Sequence, residues 1–163
     1  MAAVDYFLKL DGIEGESLDI KHKGEINVDS FSWGLSQSGS VGAGGGGSTG
    51  KVQVQDFHFT MATSKASPNL FLKCATGAHL KFAYLAARKA GGDRGEDFLK
   101  FTLSDVLISS YSVGGSAGGN VVPTDQVSLN FAKVEMSYKE QKPDGTLGAA
   151  ITTGWDLKLN KAV

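Results

Sequence analysis

The run "GGGGSTGKVQVQDFHFT", Gly44 to Thr60, decides between two folds. Counted from Gly45, its first part fits G-x-x-x-x-G-K, with Lys51 where a phosphate-binding loop carries its lysine. Such a loop needs Ser or Thr next, to ligate magnesium, and it must open a helix whose N-terminus receives the phosphate. The next residue is Val52. From there Val52 and Val54, then Phe57, Phe59 and Met61, alternate with polar residues as a strand does. The stretch is a loop followed by a strand, and the nucleotide reading fails with the helix. The G-x-G-x-x-G spacing of Gly42, Gly44 and Gly47 lacks the same strand-loop-helix context.

Working outward, the same period of two recurs. It appears in Tyr6, Leu8 and Leu10; in Leu80, Phe82 and Tyr84; in Leu99, Phe101 and Leu103; and in Ile151, Trp155, Leu157 and Leu159. Of the 22 glycines, 14 cluster at 39–50, 91–95 and 114–119, which read as loops. The fold class is mainly β. Several strands slip phase by one residue: Ile26 and Val28 against Phe31, Trp33 and Leu35; Val52 and Val54 against Phe57; Leu103 against Val106 and Ile108; Phe131 against Val134, Met136 and Tyr138. An added residue swaps the faces of a strand, so either bulges bend these strands or both of their faces are covered over part of their length. Bent strands suit a barrel or an orthogonal sandwich, two-sided coverage suits a subunit that meets another copy, and the two can coexist.

One helix interrupts the pattern. "SPNLFLKCATG" offers Ser67 as N-cap, Pro68 at the first helical position, Leu70, Phe71 and Cys74 on one face, and Gly77 as a stop. Further on, "KPDGT" from Lys142 to Thr146 reads as a tight turn through Asp144-Gly145.

A chain of 163 residues makes one ordinary domain, able to bury roughly 70% of its unfolded surface. The formal net charge is -1 and the longest basic cluster is Arg88-Lys89, so no field favours nucleic acid or an anionic membrane. Cys74 is the sole cysteine, which excludes an internal disulfide and a thiolate zinc site. The N-terminal residues show no apolar signal region and no apolar run is long enough to span a bilayer.

Catalytic candidates fail on context. Ser48 and Ser116 each fit G-x-S-x-G, but Ser116 has no histidine after it, and Ser48 has no helix to follow. His22, His58 and His79 are far apart with no metal-ligand spacing, and His58 faces away from Phe57 and Phe59, as a surface or interface residue would. Cys74 reads as a packed small hydrophobe, and Asp11, Glu14, Glu16 and Asp19 as solvated acids in a turn-rich stretch. No enzyme, cofactor or metal is expected. Such a domain binds or builds something.

Seven blocks in order carry a specific resemblance: "VDYFLKLDGIEGES" from Val4, "FSWGLSQSGS" from Phe31, "GKVQVQDFHFT" from Gly50, "SPNLFLKCATGAH" from Ser67, "ARKAGG" from Ala87, "SLNFAKVEMSYKEQKPDGT" from Ser128 and "GWDLKLN" from Gly154. With them the chain resembles, end to end, the hemolysin-coregulated proteins (Hcp), tube subunits of the bacterial type VI secretion system. The resemblance implies a two-sheet β-barrel with one flanking α-helix and a long extended loop, residues 1–163 forming a single Hcp-like domain. It implies homo-hexameric rings that stack into a tube, with sheath proteins, a spike protein and lumenal effector proteins as partners. It implies no nucleic acid and no membrane insertion. The subunit would assemble in the bacterial cytoplasm and leave, without a cleaved signal peptide, for the medium or a target cell.

The resemblance also assigns residues. Ser32, between Phe31 and Trp33 and pointing the other way, is the lumen and effector-contact candidate. Gln37 and Ser38 begin the extended loop. Its Gly42, Gly44, Gly45, Gly46, Gly47, Ser48, Thr49, Gly50 and Lys51 would make inter-subunit or ring-stacking contacts, glycine supplying reach and backbone freedom. The chain ends at Val163 soon after its last strand, so the expectation is noncovalent cargo with no fused toxin domain. The competing reading is a monomeric small-ligand-binding β-barrel, which requires an apolar internal pocket with a few polar anchors.

Overall fold

The computed structural model describes residues 4–39, 50–89, 95–119 and 122–163. Eleven strands and one helix follow in order: β1 (Val4–Leu10), β2 (Ile26–Val28), β3 (Ser30–Ser32), β4 (Leu35–Gln37), β5 (Val52–Val54), β6 (Phe57–Ala62), α1 (Ser67–Thr76), β7 (His79–Lys89), β8 (Asp97–Gly114), β9 (Thr124–Gln141), β10 (Leu147–Asp156) and β11 (Lys161–Ala162). The fold is mainly β with one helix, as the sequence pattern predicts, and it has the two sheets that the resemblance implies.

The larger sheet has nine strands. Its path runs β11-β10-β9-β8-β7-β1-β2, and β6 joins the first half of β9 while carrying β3 on its other edge. β2 and β3 are consecutive, separated only by Asp29, whose N–H bonds to the Thr60 carbonyl at 2.8 Å. Hydrogen bonding thus runs from β3 through β6, β9, β8, β7 and β1 to β2, and the covalent corner at Asp29 completes the circuit. That corner is the first phase slip, where the chain leaves one partner for another. The smaller sheet is an antiparallel ribbon, β4 with β5, pairing Leu35 with Val54 and Gln37 with Val52. The second slip is the break between β5 and β6, where the Gln55 N–H is taken by the Gly34 carbonyl.

The other two slips share one cause, and it is not a bulge. Leu80, Val106 and Phe131 lie opposite one another, as do Ala83, Leu103 and Val134, and all six are buried. Three adjacent strands therefore change faces at one level while the register stays continuous. Asp105 takes the turn with φ 56°. The backbone groups at this line find outside partners: the Asp11 N–H reaches the Phe82 carbonyl, the Leu157 N–H reaches the Ala132 carbonyl, and the Asp11 carboxylate accepts the Lys81 N–H. Separately, a bulge at Ser109 shifts the β8 to β9 register between Ile108 and Ser110.

The barrel interior is filled. Phe57, Phe59, Leu129 and Val106 are fully buried, and Phe31, Phe57 and Phe101 pack with ring centroids 5.6 to 5.7 Å apart. Each such pair adds about 0.5–1.5 kcal/mol beyond the area it buries. On β7 the inward residues are Ala83, Leu85 and Ala87, not the expected Phe82 and Tyr84, which stack on each other outside at 4.5 Å. Leu35 likewise leaves the core for the ribbon and is exposed. Beyond Asp156 the chain turns instead of continuing as a strand, because the Asp156 carboxylate takes the Leu159 N–H and Asn160 adopts φ 52°.

Helix α1 ends as predicted: Gly77 is left-handed at φ 67°, and N–H groups of Gly77 and Ala78 close on the Cys74 and Lys73 carbonyls. Its start differs. Ala66 occupies the N-cap position without a side-chain bond, while the Ser67 hydroxyl donates to the buried carboxylate of Asp125, which also accepts from Thr63. Leu70 is buried, Cys74 is half-buried against the core, and Phe71 faces out, edge-on to Tyr111. The "KPDGT" turn forms as expected, with Gly145 at φ 88° and Asp144 accepting both the N–H and the hydroxyl of Thr146.

Candidate functional site

Where β3, β6, β9 and β8 lie side by side, their inward residues build the core, so the alternate residues must face out together. Those residues are small and polar. The pairing aligns Ser32 with His58 and His58 with Ser128, then Ser128 with Ser110; one step along it aligns Ser30, Thr60, Gln126 and Ser112. They line an open groove of about 270 Å³ whose floor is completed by Phe31, Phe59 and Val127. Ser32 sits on it, exposed, where the sequence places the lumen candidate.

The groove is knit by its own hydroxyls. Ser30 and Thr60 share a hydrogen bond of 2.6 Å, and His58 Nδ1 shares another with Ser128 Oγ, also 2.6 Å. His58 is exposed on the face opposite Phe57 and Phe59, as expected. Among the described residues no Asp, Glu, Lys or Arg lines the groove. At its rim Asp56 accepts from Ser109 at 2.7 Å and from Asn130 at 3.0 Å. Among the described residues no group of three or more His, Cys, Asp or Glu side chains is gathered to hold a metal. The chemistry on offer is reversible hydrogen bonding by neutral donors and acceptors.

Sequence reading missed Ser30, Thr60, Ser110, Ser112, Gln126 and Ser128. The bulge at Ser109 explains the serines of β8: counting by twos from Ile108 puts Ser110 and Ser112 in the core, and the extra residue turns them out and Tyr111 in. Burial then raises the Tyr111 hydroxyl above its ordinary pKa. Of the loop candidates, Gln37 is exposed in β4, opposite Val52, while Ser38, Gly50 and Lys51 continue the two arms of the ribbon. Gly42, Gly44, Gly45, Gly46, Gly47, Ser48 and Thr49 lie outside the described residues.

A second polar cluster lies behind β1, and it corrects the expectation of a solvated acid at Asp19, whereas Glu14 and Glu16 are exposed as expected. The segment from Asp11 to Glu25 folds back on itself, with Gly15 bonded to the Gly24 carbonyl and Ser17 to the Glu25 carbonyl. Asp19 accepts the N–H groups of Lys21 and His22 and grips the guanidinium of Arg88 through both oxygens. That guanidinium holds the Asp19 carboxyl below the usual carboxylate range. His22 is buried, its Nδ1 3.0 Å from Glu25 and its Nε2 2.9 Å from Asp97. Its ring stacks on Phe7 at 4.4 Å, and Arg88 lies over the same Phe7. Phe7 and Ala86 are buried on the face of the sheet opposite the core, so here both faces are covered. The four slips read from sequence are thus a corner, a break and one kink shared by two of them, while the bulge at Ser109 and the second covered face over β1 and β7 lie elsewhere.

The comparisons agree with the geometry. Residues 7–138 match the family model described as type VI secretion system effector, Hcp. The chain is similar to the protein hcp1 of Pseudomonas aeruginosa, 47% identical over 159 residues, covering 97% of this chain and 98% of that one. Among solved structures it resembles Hcp1 from Salmonella typhimurium, with TM-score 0.83, 40% identity and full coverage of both chains. It also resembles a type six secretion system protein, with TM-score 0.93 and 31% identity, over 99% of this chain and all of that one.

Proposed function

The chain belongs to the Hcp family of type VI secretion system proteins, and from that premise we propose that it is a structural subunit of the secretion tube. Six copies close into a ring, rings stack, and the groove around Ser32 faces the bore, where it holds effector proteins until the tube is expelled by the sheath behind its spike. The observation that carries this reading is the groove itself: a face of eight polar side chains across four strands, without a fixed charge among the described residues, suits a passage that must retain varied cargo by hydrogen bonds and release it. The ribbon of β4 and β5 carries the extended loop toward neighbouring copies. The subunit is made in the bacterial cytoplasm and is exported by the secretion system.

A monomeric ligand barrel would need an internal cavity, and the aromatic core fills that space among the described residues. The deciding measurement is the solution mass by light scattering at low and high salt. A particle six times 17.1 kDa supports the ring, and a stable monomer in both counts against it. Ser32→Glu should leave that mass unchanged and reduce effector retention; normal retention removes Ser32 from the cargo face. Deleting 42–50 should weaken closure or stacking, and unchanged assembly would reassign the loop.

A further inference from the structure

Among the exposed apolar features of the described residues, two lie on opposite faces of one sheet. The first is a knob. In the segment between β1 and β2, Leu18 is 89% exposed and Ile20 is 87% exposed. Between and beside them Asp19 and His22 are locked by Arg88, Glu25 and Asp97, so the two aliphatic side chains are held out on a rigid mount and do not fold back to cover themselves. Gly15 approaches the Glu25 carbonyl so closely that a Cβ would collide with it, which tightens the mount further.

The second feature is a bare sheet face. Val134, Met136 and Tyr138 lie on one side of β9, and their neighbours Trp155, Thr153 and Ile151 lie on the same side of β10. Val134 is core, but the covering layer stops there: Met136, Tyr138 and Ile151 are 38%, 42% and 73% exposed. β11 pairs only with Trp155 and Asp156, so the β10 edge beside Ile151 has no partner strand among the described residues. Glu140, two residues past Tyr138, stands exposed on the same face, while Lys21 and Lys23 are exposed beside the knob.

We infer that the knob formed by Leu18 and Ile20 of one copy docks on the face formed by Met136, Tyr138 and Ile151 of the next. This rests on the ring reading above and names the surfaces that close it. A knob and a bare face at different places on the same chain make a head-to-tail contact, and a head-to-tail contact that repeats by rotation closes into a ring. The lysines beside the knob and Glu140 beside the face set the polarity of the contact. Because the mount is already ordered, docking costs little backbone entropy.

The test uses the full chain with Cys74→Ser, carrying Ile20→Cys and Ile151→Cys together or singly, treated with a short bismaleimide. Linked chains up to six on a denaturing gel from the double variant, and none beyond two from either single variant, are the expected result. Ile20→Asp should in parallel reduce the light-scattering mass to one chain. If the Cys74→Ser parent forms rings but the double variant gives no ladder and Ile20→Asp keeps its full mass, the inference is overturned while the ring stands. If the unaltered chain itself never assembles, the ring reading falls and this contact with it.

Discussion

The groove over β6 and the clamp behind β1 both gather polar side chains from distant stretches of chain, yet they are built by opposite rules. The groove is open, and hydroxyls, an amide and one imidazole line it. The clamp is largely dry, and a guanidinium, an imidazole and three carboxylates interlock there. Charge sits where water is scarce and each group has a fixed partner; neutrality sits where the surface must stay available. A buried charge without its partner is costly, so the clamp tolerates one arrangement, whereas exposed hydroxyls can trade partners with water at little cost.

The sharpest way to break this contrast is to delete Ser109. Losing the bulge drives Ser110 and Ser112 inward and Tyr111 outward, which should cost on the order of 5 kcal/mol or more, enough to unfold many domains. A cooperative melt at the wild-type midpoint would mean the bulge does not set the faces. Next comes Arg88→Ala, which strands Asp19. Equilibrium denaturation should show a loss of about 3–5 kcal/mol, and a loss under 1 kcal/mol would place the clamp among ordinary surface pairs.

A smaller effect sharpens the electrostatics. The Asp19 carboxyl is depressed in the folded chain, so its contribution is complete above its unfolded value of roughly 4 and is lost as pH falls through the lower folded value. Asp19→Asn should therefore flatten the stability profile below about pH 4 relative to wild type, and parallel acid limbs would exclude Asp19 as their source. The smallest change belongs to the groove. Ser112→Ala should stay within about 0.5 kcal/mol of wild type in the same denaturation experiment. A larger loss would show that the groove is a structural network after all.

What the sequence reveals follows from how local each determinant is. β1, the Gly77 stop, the "KPDGT" turn and the outward Ser32 each depend on residues a few positions apart, and period or turn chemistry exposes them. The start of α1 does not, because the Ser67 hydroxyl is taken by Asp125, 58 residues away. The clamp joins Asp19 to Arg88 and His22 to Asp97 across 69 and 75 residues, so its acids look like surface acids until the sheet brings them together. Ser110 and Ser112 were hidden by one bulge residue. Phe82 and Tyr84 mimic a core pair because aromatic alternation reads the same on either face.

The kink shared by β7, β8 and β9 bears on how this chain can change in length. Because all three strands turn at one level in unbroken register, an added or lost codon in any one of them throws its neighbours out of step, and repair would need matched changes in the other two. Insertions are best accommodated where no neighbour keeps count. The exposed turn from Lys142 to Thr146 is such a place, and a reporter peptide grafted between Asp144 and Gly145 would be carried by every copy without resetting a strand.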